Sequence, residues 1–452
     1  MTDLITEALK SATDTKVVVT EPGAVEKVPT LFAEHFGGRG AIVVGDARTM
    51  KVLGDRVVSL LRDAGVDVAT HVFPGDPELY AEYGNCQALR EVLRPVDRVA
   101  IAVGAGTLND IVKRANGELE RPYMVVGTAA SMDGYTAFGS SIALDGFKQT
   151  LTCPAPLACV ADLDVMAAAP QVMTASGYGD LLGKVPAGAD WIFADALGVE
   201  AIDSPVWDMV QGPLRPSLSR PSDLAEGEVS AVGELAQGLM MSGLAMQAHQ
   251  SSRPASGAEH QFSHLWEMEG HGVDIEPRRL SHGFKVGVGS VAIAALYEEL
   301  LSRDLSALDI DAVVDPWPSK DEMEARVRSL NPDPQLVEET VAQALAKWLT
   351  PEALRERLQT LKDLWPGLVP RLREQLMPAA ELQNMLRKVG APAHPSDIGV
   401  DWARFKETYV RAQMIRKRYT VLDVALEAGV LDNIIENLFA PDGFWGSQEQ
   451  GN

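Results

Sequence analysis

The chain is short of cysteine, of histidine, of positive charge and of long apolar runs, and each shortage narrows what it can be. Its three cysteines, Cys86, Cys153 and Cys159, make no Cys-x-x-Cys pair and no even framework. A disulfide scaffold is therefore not expected, and a reducing, cytoplasmic setting is. No apolar run approaches the roughly 20 residues of a membrane span. Met1-Thr2-Asp3-Leu4 opens without a basic or apolar leader, so neither membrane insertion nor secretion is expected. Lys and Arg number 40 against 63 Asp and Glu, for a net charge of −23. Such acidity argues against nucleic acid or an anionic membrane as partner. An anionic substrate would need local positive charge to override that field.

What remains is an ordinary globular composition, 46% hydrophobic and 23% charged. At 452 residues the chain is too long for one core, so two domains are expected. The first part alternates strand and helix signals. Strands are expected at 41–45, 66–73, 98–104 and 123–126, and helices at 52–64, 77–93 and 107–115. Repeated β-α-β units imply a parallel sheet with helices on both faces. After Pro170 helical periodicity takes over, at 172–184, 187–197, 234–249, 258–268 and 286–301. The fold expected is an α/β domain over 1–169 followed by an all-α domain over 170–452. Within the latter, 302–383 is charged and proline-punctuated, and is read as a set of peripheral helices with solvated faces.

Gly104-Ala105-Gly106-Thr107-Leu108-Asn109-Asp110 sits between a strand and a helix. Its glycines let the backbone approach a pyrophosphate, whose charge the helix N-terminal amides would meet. Asn109 stands where a full G-x-G-x-x-G has its third glycine, so a tight structural turn is the competing reading. Asp46 follows the strand at 41–45. There it suits ribose hydroxyls, favouring NAD over NADP, or else caps a helix. Thr128-Ala129-Ala130-Ser131-Met132-Asp133-Gly134-Tyr135 follows another strand, and its small residues suit the nicotinamide side, with Asp133 near the reacting centre.

Two of the eight histidines, His260 and His264, lie four apart and share a helix face. With Asp180 and His282 they make a three-ligand set with an open position, suited to catalysis by Zn, Ni or Fe. Spacing leaves open which of His260 and His264 binds. A packed histidine and a helix-capping Asp180 are the bland readings. His35, in a glycine-flanked loop, and His71, His249, His271 and His394 are read as structural.

Five strings, in order, carry a resemblance: Gly104–Asp110, Thr128–Tyr135, Ser176–Lys184, Ala189-Asp190-Trp191 and Ser252–His264, completed by His282-Gly283 and Lys285-Val286-Gly287. The chain resembles the sn-glycerol-1-phosphate dehydrogenases, especially the bacterial branch, within the iron-containing alcohol dehydrogenase superfamily. The resemblance implies a Rossmann-like parallel-sheet domain, a helical domain and an active site in the cleft between them. It implies metal ligation by Asp180, His260 and His282, substrate contact by His264 and Asp133, and cofactor contact by Asp46, Gly106, Thr107, Leu108, Asn109, Asp110, Thr128, Ala129, Ala130 and Ser131. Hydride transfer between NAD (or NADP) and dihydroxyacetone phosphate, giving glycerol 1-phosphate, follows as the expected reaction, in a homo-oligomer. Lys184 and Arg253, which flank the metal motifs, are the phosphate candidates, against surface pairing. Two positions depart from the family pattern: Ala137 replaces a hydroxyl residue and Val185 follows Lys184. A polyol dehydrogenase, a 3-dehydroquinate synthase-like enzyme and a non-catalytic binding protein are the alternatives.

Overall fold

A computed structural model describes residues 2–144, 147–273 and 279–449. Eight strands precede residue 163: β1 Val17–Glu21, β2 Gly40–Asp46, β3 Val68–Phe73, β4 Arg98–Gly104, β5 Met124–Gly127, β6 Ser140–Leu144, β7 Phe147–Leu151 and β8 Ala158–Asp162. Six form one parallel sheet in the order β1-β8-β5-β4-β2-β3, and β6 and β7 pair as a separate antiparallel hairpin. β2 and β4 are almost wholly buried. That is why they read as continuous apolar runs rather than alternating ones. Alternate residues of neighbouring strands (Ala41, Val43, Val99, Ile101, Val103, Met124, Val126) share one core layer with Val28, Phe32, Val57 and Leu61 of two covering helices.

The strand order reverses between β2 and β4. From β2 the chain runs outward to β3, then returns to the far side of β2 to build β4, β5 and β8. Parallel sheets bind ligands outside the carboxyl ends of the strands at such a point. Asp46 ends β2, and the glycine loop follows β4.

Local chemistry moved some boundaries. The helix expected at 77–93 begins only at Tyr83, because Glu82 is first taken up in an isolated bridge with Ala143. The helix expected at 52–64 is entered through a π-turn, Met50–Gly54. His35 lies on the helix Val28–Phe36, not in a loop.

The chain divides into two compact units: Met1–Leu181, Ser204–Ala255 and Lys388–Ala391 form one, and Leu182–Asp203, Ser256–Arg387 and Pro392–Asn452 the other. The second unit is helical throughout its described residues, apart from loops and turns. Its helix Lys184–Ala196 is buried from Lys184 to Ala194, and His282–Leu301 is buried over nearly its whole length. Helices apolar all round belong in a core. Within 302–383, Met323, Val327, Val341 and Ala344 pack with Met414 as a small separate core. Exposed pairs there, such as Arg328–Glu338, are screened by solvent and add little, so the small core holds the segment.

Gly177 stands inside the helix Gln171–Leu182, where a Cβ would collide with the Ala130 carbonyl. Beside it Ser176 Oγ donates to Ser131 O at 3.2 Å. The small side chains of this string therefore set how closely one helix packs on the loop after β5. Gly177→Ala should lower stability by about 1–3 kcal/mol, as overpacking does. A denaturant midpoint equal to that of the wild type would contradict the close approach.

Candidate active site

The sheet unit carries the nucleotide signals. Ala105 is the extended N-cap of the helix Gly106–Gly117, so the amides of Gly106, Thr107 and Leu108 open its N-terminus. A Cβ on Gly104 would strike Leu108, and one on Gly106 would lie 3.1 Å from Met132 Cγ. The tight turn is thus real, and it leaves backbone amides as the groups on offer. Asn109 is buried and its amide is already engaged: Nδ2 donates to Gly134 O at 3.1 Å and Oδ1 accepts from Tyr123 Oη at 3.0 Å. Asp110 Oδ2 accepts from Ser141 N at 3.3 Å. Asp46 Oδ1 accepts from the amides of Arg48 and Thr49, both at 2.8 Å, which is the capping role.

Thr128 to Ser131 lie just beyond β5, with Thr128 N donating to Gly104 O at 3.2 Å. Lys113 is wholly buried, and its Nζ donates to the carbonyls of Gly134, Ala137 and Gly139 at 2.7–3.0 Å. Ala137, where the family pattern has a hydroxyl, is therefore held through its backbone. Asp133 Oδ2 accepts from Ser242 Oγ at 2.9 Å, and Asp133 N donates to Asp180 Oδ2 at 3.1 Å. Asp180 is buried near the end of its helix rather than capping one.

The helical unit carries the histidines. His260 and His264 lie on the helix Ala258–Met268, and His282 opens the helix His282–Leu301. The three rings have centroid separations of 5.3–5.9 Å. Each Nδ1 faces a carboxylate. His260 Nδ1 lies 2.6 Å from Glu259 Oε1, His282 Nδ1 lies 2.9 Å from Glu267 Oε1, and His264 Nδ1 lies 3.2 Å from Glu267 Oε2. A carboxylate only accepts, so the proton is assigned to each Nδ1, leaving each Nε2 its lone pair. Burial, then the Arg416 charge, hold the His264 imidazole well below its usual range, while Glu267 acts the other way. His264 is thus held neutral.

Asp180, His260 and His282 each offer one ligand atom, and these atoms all lie within 4.8 Å of one another. One carboxylate and two imidazoles suit Zn²⁺, Ni²⁺ or Fe²⁺.

Several supporting residues carried no assigned role in the sequence, although Asp190 and Lys285 stood in the resemblance strings. Glu259 and Glu267 are buried, and Lys285 Nζ pairs with Glu267 Oε1 at 3.1 Å. Buried Asp190 accepts from Ala258 N at 2.7 Å, Val421 N at 2.8 Å and Tyr297 Oη at 2.6 Å, pinning the start of the histidine helix. Burial, then the charge of Glu259, push the Asp190 carboxyl up to about 7. The signal for Glu267 was present: 260, 264 and 267 follow helical spacing on one face. Lys184 and Arg253 are both buried, at the head of a helix and in a 3-10 turn. Of the histidines read as structural, His271 meets Ile398 O, His249 meets Ser251 and His394 caps a 3-10 turn.

Residues 19–170 match the family model of the iron-containing alcohol dehydrogenases. Over 415 residues the chain is 32% identical to a glycerol-1-phosphate dehydrogenase of Bacillus licheniformis, covering 91% of this chain and 89% of that one. Over 409 residues it is 31% identical to the enzyme of that name from Bacillus subtilis, covering 89% of each. The chain belongs to the glycerol-1-phosphate dehydrogenase family. The names of these relatives give NAD(P)+ as their coenzyme. Glycerol dehydrogenases of Schizosaccharomyces pombe (TM-score 0.59, 17% identity, 98% of this chain and 93% of that chain) and Sinorhizobium meliloti (a probable one; 0.56, 16%, 93% and 97%) share its fold.

In this dehydrogenase the Asn109 amide joins Gly134 O to the buried Tyr123 hydroxyl, so its removal strands that hydroxyl. Asn109→Ala should cost about 1–3 kcal/mol in urea unfolding. An unchanged midpoint would show that the bridge does not hold the loop.

Proposed function

We propose that the protein transfers a hydride reversibly between NAD(P)H and dihydroxyacetone phosphate, giving sn-glycerol 1-phosphate. The observation that carries this reading is the approach of Asp180, His260 and His282 to within 4.8 Å, in a chain 32% identical to a glycerol-1-phosphate dehydrogenase over 91% of its length. Those three residues would hold one divalent ion, with His260 and His282 presenting Nε2. Bound there, the ion supplies a Lewis acid for the carbonyl oxygen.

The remaining work belongs to the chain. Amides of Gly106, Thr107 and Leu108 take the pyrophosphate at a helix N-terminus. Asp46, Asn109, Asp110 and Thr128 to Ser131 line the rest of the nucleotide path. Asp133, fixed by Ser242, orients the substrate hydroxyls. His264, neutral and with Nε2 available, exchanges the proton of the reacting oxygen through water. Positive charge for the phosphate comes from Lys285 and Arg416, which stand beside Glu267 and the histidines. They complement the earlier candidates Lys184 and Arg253.

Three buried, unpaired cysteines suit a reducing, cytoplasmic setting, and among the described residues no helix is long and apolar enough to cross a membrane. A homo-oligomer is the expected assembly, and sedimentation reads it directly.

Purified protein should oxidise NADH with dihydroxyacetone phosphate and stop when a chelator is added. Oxidation with unphosphorylated polyols and ketones alone would make it a polyol dehydrogenase. Catalysis without net NADH change would indicate a synthase-like reaction, in which the nucleotide is recycled. His260→Ala should lose the metal. His264→Ala should keep the metal and lose turnover by about 10²–10⁴-fold, the usual worth of a general acid. The reverse pattern would exchange the two roles.

A further inference from the structure

One carboxylate in the helical unit serves two imidazoles. Glu267 is buried, and its two oxygens point at different histidines: Oε1 to His282 Nδ1 at 2.9 Å, Oε2 to His264 Nδ1 at 3.2 Å. Oε1 also pairs with Lys285 Nζ at 3.1 Å. Ser263 Oγ lies 3.2 Å from the same His282 Nδ1. His260 has a separate carboxylate, Glu259, at 2.6 Å. The two histidines given different work in the reading above are therefore oriented by one side chain, and the third histidine is not.

We propose that Glu267 is the shared positioning residue of the site, fixing His282 toward the metal ion and His264 toward the substrate at once. The inference rests on the assignment of those two roles. A single acceptor bridging two Nδ1–H donors makes both Nε2 lone pairs face away from it, and it sets both ring orientations together. Lys285 Nζ braces the same carboxylate from a third side. If Glu267 is lost, two faults follow from one change: the ion is held less tightly, and the proton-exchanging ring loses its anchor. A carboxylate serving His282 alone would produce only the first.

Glu267→Gln keeps the size and the fold while removing one acceptor and the charge. Zinc affinity is measured by chelator competition without substrate or nucleotide, so the result stands whichever carbonyl compound the enzyme reduces. The zinc dissociation constant should rise about 10–100-fold, while His264→Ala leaves it unchanged. At saturating zinc, kcat of Glu267→Gln should stay depressed. In that background His264→Ala should cost much less than in the wild type, because the two act as a unit. Glu267→Asp should regain affinity or turnover in part, since the shorter side chain reaches one ring at a time. A zinc dissociation constant within twofold of the wild type would overturn the proposal. So would full recovery of kcat at saturating zinc, or additive losses in the double variant.

Discussion

An imidazole has two nitrogens, and once one is tied to a carboxylate the direction of the other is settled. That constraint organises the helical half of this protein. Glu259 and Glu267 are buried acids, and a buried charge is tolerated only when it is paired and hydrogen-bonded. Each is paired with a histidine Nδ1 or a lysine. Glu259 and Asp190 in turn tie down Gly257 N and Ala258 N at the start of the histidine helix. The cost of burying these acids is offset by the contacts that orient the rings. Stability and chemistry rest here on the same hydrogen bonds.

The sheet half solves a different problem with different means. A dinucleotide needs backbone amides at close range, so bulk must be kept away. Gly104 and Gly106 allow the turn after β4, and Gly177 allows a helix to press on the loop after β5. The loop itself is pinned from below by Lys113 and Asn109, which hold backbone carbonyls rather than any ligand. With its side chain so engaged, Asn109 can serve a nucleotide only through its backbone. That is a narrower role than its place in the glycine string suggested.

Much of this was legible in the residues. β2 and β4 announced themselves because buried parallel strands read as unbroken apolar runs. The helices after 170 did so through their period. Strands β1 and β8 and the β6–β7 hairpin were missed. β1 is only half-buried along its length, and β8 ends in the capping residue Asp162. The candidate ligand histidines stood out through spacing and family strings. Glu267 shares their helical spacing, but an acid on a helix is ordinarily a solvated one, so only burial gives Glu259 and Glu267 their part. The same holds for Arg416: nothing in Ile415-Arg416-Lys417-Arg418 distinguishes the guanidinium that acts on His264 from its neighbours.

The proposed chemistry requires a single ion held by two imidazoles and one carboxylate. X-ray absorption at the metal edge of the zinc-loaded protein tests it most directly. Nitrogen and oxygen scatterers are expected at about 2.0–2.2 Å, with an outer-shell pattern of two imidazoles, and His260→Ala should retain no zinc to give that pattern. A sulfur scatterer, or an imidazole pattern that His260→Ala leaves unchanged, would contradict it.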